Sequence, residues 1–225
     1  MSPTDSPSED DLVLEPSCDA EDLVDWDPWH DSGVQVATLG ADKGGPSVAV
    51  AADALLDMIG HGSDQTDREV GGVLLGDFAQ TPRGRLTRVA DIIIADSNEA
   101  SLTHVTFTHD AWERIHADLD QRGKSVRIVG WYHTHPGFGP FLSAHDRFIQ
   151  EHFFAHSRHV ALVLDPVQDL VAVFAWRGGV IERLPGCLIY DDAERSEELQ
   201  QLLSKLTYAE DKRKQRCGFL SWMRR

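Results

Sequence analysis

The chain contains few of the features that mark secreted, membrane or nucleic-acid-binding proteins. Among its 225 residues are three cysteines, Cys18, Cys187 and Cys217. That odd number, at spacings matching neither a zinc knuckle nor a disulfide framework, points to a reducing, cytoplasmic setting. No run of about 18 apolar residues offers a membrane-spanning helix. Lys43 is the first lysine or arginine, so the basic entry of a standard signal peptide is missing. The formal net charge of -16 argues against nucleic acid as the main partner, because phosphate backbones are bound through a concentrated basic face. Internal repeats are also absent.

Residues 1–32 are rich in Asp, Glu, Ser and Pro. A stretch of that composition buries too little apolar surface to offset the entropy of ordering and is expected to be disordered. Trp26 and Trp29 interrupt it, either as a docking motif or as side chains packed on the core. Residues 33–190 are expected to form one folded domain. The last part, 191–225, reads as a closing helix from Ala193 to Tyr208 followed by a basic tail with Lys212, Arg213, Lys214, Arg216, Arg224 and Arg225. Either end could contact a partner, and the aromatic and basic residues after Cys217 also suit an anionic surface.

Within the domain, β-prone runs occur at Val34–Thr38, Ser47–Val50, Glu69–Asp77, Arg85–Ala95, Thr103–Phe107, Val126–His133, His159–Leu164, Leu170–Trp176 and Val180–Leu184. Helical spacing appears at Ala51–Ile59, halting at Gly60 and Gly62, at Asp110–Gln121 with Thr108 as N-cap, and at Ser143–His156 with Phe148, Ile149 and Phe153 toward the core. This order predicts a mixed α/β fold with a curved mixed sheet flanked by helices.

The most informative stretch is Trp131-Tyr-His-Thr-His-Pro-Gly-Phe-Gly-Pro-Phe-Leu-Ser-Ala-His-Asp146. His133 and His135 are two positions apart, so at the end of a strand their imidazoles share a face. The Gly/Pro loop can turn the chain back so that Asp146, in the first turn of the next helix, joins them. Two imidazoles and a carboxylate leave a fourth position open, as in a catalytic zinc site, where water has its pKa pulled toward ~7. Each part also has an ordinary reading. Histidine pairs recur in strands, and Ser143 with Asp146 equally describes a helix N-cap with a first-turn acid. His145, His104 and His109 lack a partner pattern, and Trp131 reads as core packing. Metallo-β-lactamase-like hydrolases and cupins place other ligands just after the pair, where Pro136 to Phe141 stand here, and no H-E-x-x-H is present.

With Glu69 in Glu69-Val-Gly-Gly-Val-Leu-Leu-Gly76, His133-Thr-His-Pro136, seven residues to Ser143, and Asp146, the chain resembles the JAMM/MPN+ (Mov34/MPN/PAD-1) zinc metalloproteases, in particular their deubiquitinating branch. The likeness covers roughly residues 46–190. It implies a cytidine-deaminase-like MPN/JAMM fold and one zinc ion per chain held by His133, His135 and Asp146. It further implies Glu69 as the acid/base beside the catalytic water and Ser143 as a hydrogen-bond donor to the oxyanion. The expected reaction is hydrolysis after the C-terminal glycine of a ubiquitin-like protein, by deconjugation or precursor processing. Release of a small group from a sulfur-carrier protein, or a non-catalytic scaffold role, are the alternatives. Leu164 to Val173 is too short for a linkage-selective clamp, and the long C-terminal helical extension of proteasomal relatives is not seen in these residues.

Overall fold

The computed structural model describes residues 23–41, 47–95, 107–122 and 126–209. The strand expected at Thr103–Phe107 lies outside these residues except for Phe107, as do His104, Cys18, Cys217, residues 1–22 and the basic tail. Strands β1 (Leu23–Asp25), β2 (Val34–Gly40) and β3 (Val48–Ala51) lead into helix α1 (Ala52–Ser63). The hairpin of β4 (Gly71–Thr81) and β5 (Gly84–Ile94) is followed by α2 (His109–Arg122), β6 (Arg127–Thr134) and α3 (Ala144–His152). Then come β7 (Val160–Asp165), β8 (Leu170–Arg177), β9 (Val180–Arg183), β10 (Gly186–Asp192), α4 (Ser196–Lys205) and β11 (Thr207–Tyr208).

The strands form one mixed sheet in the order β11-β8-β7-β6-β4-β5-β3-β10-β2, with β1 on β4 and β9 on β8. It curls until its edges approach: a side chain on Gly40 of β2 would meet the Tyr208 ring of β11 at 2.7 Å. Strand β7 is parallel to β6 and buried along its whole length. Its uninterrupted Val160-Ala-Leu-Val-Leu164 run is what a strand covered on both faces requires. One face packs Leu55 and Met58 of α1 and Leu199 and Leu202 of α4. The other packs Trp112 and Ile115 of α2 and Ile149 of α3. Each fully buried side chain of this kind contributes ~1.5–3 kcal/mol.

A bulge decides which way β6 presents its side chains. Leu74 pairs with Gly130 but Leu75 with Ile128, leaving Val129 without a partner on β4. An extra residue reverses the alternation. Val129 and Tyr132 therefore enter the α1/α4 core, while Trp131 packs toward α2 and α3.

Several expectations change. Helix α1 continues through Gly60 and Gly62 instead of stopping there. Gly62 is needed within it, because a Cβ would lie 2.8 Å from Thr134 Cγ2. Helix α3 ends at His152, and Phe148 is half exposed rather than in the core. Strand β10 was not evident from the sequence, yet it sits between β3 and β2. The closing helix is shorter than Ala193–Tyr208: residues Ala193–Arg195 form a 3-10 turn, and β11 follows α4. Leu23–Asp25 pairs in parallel with Phe78–Gln80, so the fold includes part of the stretch expected to be disordered. Trp26 meets Tyr190 edge to face at 5.1 Å, and Arg83 lies over Trp29 at 4.2 Å. Of the two roles open for these tryptophans, packing is the one adopted.

No helix among the described residues is long and apolar enough to cross a membrane.

Candidate metal centre

Three secondary elements converge at the C-terminal end of β6. His133 lies near the end of this strand with Trp131 stacked beside it, ring centroids 4.5 Å apart. The Trp131 indole is itself held by Gln150 Oε1 at 2.7 Å, and Gln150 is wholly buried. His135 follows the strand, its N–H donating to the Leu164 carbonyl at 2.7 Å, and Phe141 packs on its ring at 4.4 Å.

The loop between His135 and α3 contains Gly137 at φ 80° and Gly139 at φ 74°, left-handed conformations that favour glycine. Both glycine N–H groups donate to the buried Asp165 carboxylate, at 2.9 and 2.7 Å. The same carboxylate accepts from the N–H groups of Val167 and Gln168 and from Gln168 Nε2. Asp165 thereby ties the end of β7 to the loop that carries the chain from His135 toward Ser143.

Ser143 caps α3. Its Oγ accepts from the Asp146 N–H at 3.1 Å, and its own N–H donates to Asp146 Oδ2 at 2.6 Å, forming a reciprocal capping box. The capping role and the site role coexist, because the same Oδ2 faces both imidazoles. It lies 3.5 Å from His133 Nε2 and 3.6 Å from His135 Nε2, and the two Nε2 atoms are 3.1 Å apart.

These separations provide a test of fit. Ligand atoms placed tetrahedrally at ~2.0–2.1 Å from a common zinc ion lie about 3.3 Å from each other. The observed 3.1, 3.5 and 3.6 Å match that spacing. All three residues are buried, and Asp146 Oδ1 has no hydrogen-bond partner among the described residues. A buried carboxylate beside two imidazole nitrogens is left with uncompensated charge unless a cation joins it. His133, His135 and Asp146 thus form a group that could hold a metal ion.

Glu69 stands beside the group rather than within it. It precedes β4 instead of lying inside the strand, and its Oε1 is 3.6 Å from His135 Nε2. Its position is secured by the next residue: Val70 N–H donates to Thr134 Oγ1 at 3.0 Å, and its carbonyl accepts from Thr134 N–H at 2.8 Å. Gly71 then pairs with His133, so closely that a Cβ there would lie 2.4 Å from the Tyr132 carbonyl.

The environment separates the two carboxylates. Burial pushes Glu69 up to about 7, with His135 opposing and Asp146 adding to the rise. Burial would also raise Asp146, but hydrogen bonds from His133 and His135 outweigh it and hold that carboxyl well below the usual range. Burial lowers the His133 imidazole, favouring the neutral form a metal requires. One carboxylate is kept ionised between the two imidazoles, and the other titrates near neutral pH.

His133, His135, Ser143, Asp146 and Glu69 are all brought together. His145 is exposed on α3, while its neighbour Asp146 points inward, and His109 is exposed at the start of α2. Asp165 and Gln150 were not recognised from the sequence. Asp165-Pro166 does carry a turn signal, but nothing local indicates that its oxygens reach back to Gly137 and Gly139.

Comparison with known proteins supplies a family. The family described as "JAB1/Mov34/MPN/PAD-1 ubiquitin protease" matches residues 43–157. An uncharacterized protein of Caenorhabditis elegans is 36% identical over 126 residues, covering 55% of this chain and 38% of its own. The ubiquitin carboxyl-terminal hydrolase RPN11 of Saccharomyces cerevisiae is 35% identical over 141 residues, covering 62% of this chain and 45% of its own. A solution structure from Desulfitobacterium hafniense aligns with a TM-score of 0.46 at 17% identity, covering 61% of this chain and 89% of that one. The chain spans less than half the length of the two curated relatives.

Proposed function

Since this chain belongs to the JAB1/Mov34/MPN/PAD-1 ubiquitin protease family, we propose that it is a zinc metallopeptidase that hydrolyses the bond after the C-terminal glycine of a ubiquitin-like protein, in a conjugate or in a precursor. The observation that carries this reading is the convergence of His133 Nε2, His135 Nε2 and Asp146 Oδ2 at zinc-ligand spacing, with Glu69 Oε1 at 3.6 Å from one of them.

His133, His135 and Asp146 would hold a single zinc ion. When bound, zinc supplies Lewis acidity that makes water more acidic and polarises a scissile carbonyl. Glu69, raised to about 7, takes a proton from water and returns one to the leaving amine. A carboxylate of that basicity serves in both directions near neutral pH, which the more acidic Asp146 cannot. Ser143 Oγ accepts the cap bond from Asp146 N–H, so its hydroxyl proton remains available to an oxyanion. The ubiquitin-like substrate is supported by the name of the yeast relative and by the family description.

The test combines metal content with cleavage of a ubiquitin-like fusion. The purified chain should carry stoichiometric zinc that His133→Ala or Asp146→Ala abolishes. Glu69→Gln should retain zinc and lose ~10²–10⁴-fold in turnover, the usual span of general acid–base catalysis. Unchanged turnover would remove Glu69 from its role. A metal-free, inactive protein would identify a non-catalytic scaffold instead.

A further inference from the structure

At the opposite end of β7 from the metal centre, a pocket of about 150 Å³ opens between the starts of β5 and β7 and the end of β8. Its walls include Arg85, Arg158 and Arg177, together with the hydroxyl residues Ser47, Thr87 and Ser157. No carboxylate among the described residues lines it. In a chain with a net charge of -16, three arginines among the residues lining one small pocket run against the overall composition.

We propose that this pocket binds the phosphoryl or pyrophosphoryl group of a small metabolite. The first support is the fixed geometry of the walls. Arg177 Nη2 donates to Ser47 Oγ, Thr87 N–H donates to the Ser47 carbonyl at 2.9 Å, and Thr87 Oγ1 donates to the Arg158 carbonyl at 2.7 Å. These bonds join four separate segments around the opening, so little further ordering is needed when a ligand enters.

The second support is the local field. The His156 imidazole, one turn of chain before Arg158, is held below its ordinary value first by burial and then by the charges of Arg158 and Arg127.

The ligand class follows from charge and size. A carboxylate saturates one guanidinium fork, whereas a phosphoryl dianion presents three terminal oxygens and can engage several. The volume is below the ~300 Å³ at which sites for whole drug-sized ligands begin, so the pocket takes the charged group and leaves the remainder outside. Trp176, half-buried at the rim, offers an apolar surface there.

Val160 at the pocket and Leu164, whose carbonyl holds His135, are four residues apart on β7, about 13 Å along the strand. The site is therefore separate from the proposed hydrolytic machinery.

Calorimetric titration of the full chain with inorganic pyrophosphate and with glycerol 3-phosphate, at near-physiological ionic strength, tests the proposal. Saturable binding is expected, with pyrophosphate tighter if the ligand is a diphosphate and glycerol 3-phosphate tighter if it is a monoester. Arg85→Gln and Arg177→Gln alter exposed side chains, so each should melt like the parent protein and keep its zinc content and turnover. Each should weaken the preferred probe at least about tenfold, or ~1.4 kcal/mol. Absence of saturation, equal affinity in parent and variants, or tighter binding of a phosphoserine peptide than of either small probe would overturn the proposal.

Discussion

Replacing Asp165 with alanine tests whether the site is held by its flanking loop or by its ligands alone. The carboxylate is 1% exposed and accepts five hydrogen bonds, from the N–H groups of Gly137, Gly139, Val167 and Gln168 and from Gln168 Nε2. A hydrogen bond to a charged group contributes ~1.5–3 kcal/mol net, but such bonds on one acceptor do not add. Gly137, Val167 and Gln168 are exposed, so their donors regain water in the variant. Gly139 is half-buried and regains less. The expected loss is therefore ~2–4 kcal/mol, a large share of the 5–15 kcal/mol typical of a domain. With a urea m-value of ~1–3 kcal/mol per molar, the unfolding midpoint should fall by roughly 0.7–4 M. Zinc affinity should fall ~10–100-fold, as when other outer supports of metal ligands are removed. Asp165→Asn refines the test. Its remaining oxygen can keep the three bonds to Gly137, Val167 and Gln168 N–H made by Oδ1, and Gln168 can turn its own amide oxygen toward the new NH2. Only the Gly139 N–H is then opposed, so asparagine should cost about half as much as alanine. An unchanged urea midpoint in Asp165→Ala, with unchanged zinc affinity, would refute the reasoning.

Two further perturbations address the opposite end of the sheet and the support behind His133. Burial, with a smaller contribution from His156, lowers His159 from 6.5 to about 4. The unfolded chain then binds a proton that the folded chain refuses between these values, so stability should fall as pH drops through that window. The loss is about 2 kcal/mol by pH ~5, and His159→Phe should flatten that part of a urea-midpoint profile measured against pH. An equally steep profile in the variant would exclude His159 as the source. Gln150→Leu strands the buried Trp131 indole N–H and removes the bond that Gln150 Nε2 donates to the Phe154 carbonyl. A cost of ~2–4 kcal/mol follows from leaving such groups unpaired. At ~2–4 °C per kcal/mol for a chain of this size, calorimetry should show a melting point lower by roughly 4–16 °C. A shift under about 2 °C would show that water replaces the glutamine.

Much of the strand order along the chain was legible because buried strands leave apolar runs and their turns leave glycines. Ile92-Ile-Ile94 and Val160–Leu164 could hardly be anything else. Strand β10 escaped because Gly186-Cys-Leu-Ile-Tyr-Asp-Asp192 is short, carries two acids at its end and abuts a helical pattern. Only its partners β3 and β2 make it a strand. Phe148 was misplaced because helical spacing shows which residues share a face, without showing whether anything covers that face.

The sequence by itself determined the family and the order of the candidate ligands, since H-x-H, a loop of set length and S-x-x-D are local patterns whose chemistry belongs to the side chains. It also singled out Glu69 as a candidate, although it could not locate the residue beside His135. Tertiary structure decided the rest. A bulge at Val129 turned His133 toward α3, pairing of Val70 with Thr134 brought Glu69 across more than sixty residues, and Asp165 pinned the intervening loop. The gathering of Arg85, Arg158 and Arg177 around one pocket was equally a product of folding. The physical reason is common to all of these: hydrogen-bond register and close packing act between segments distant in sequence, so they leave no periodicity in either segment alone.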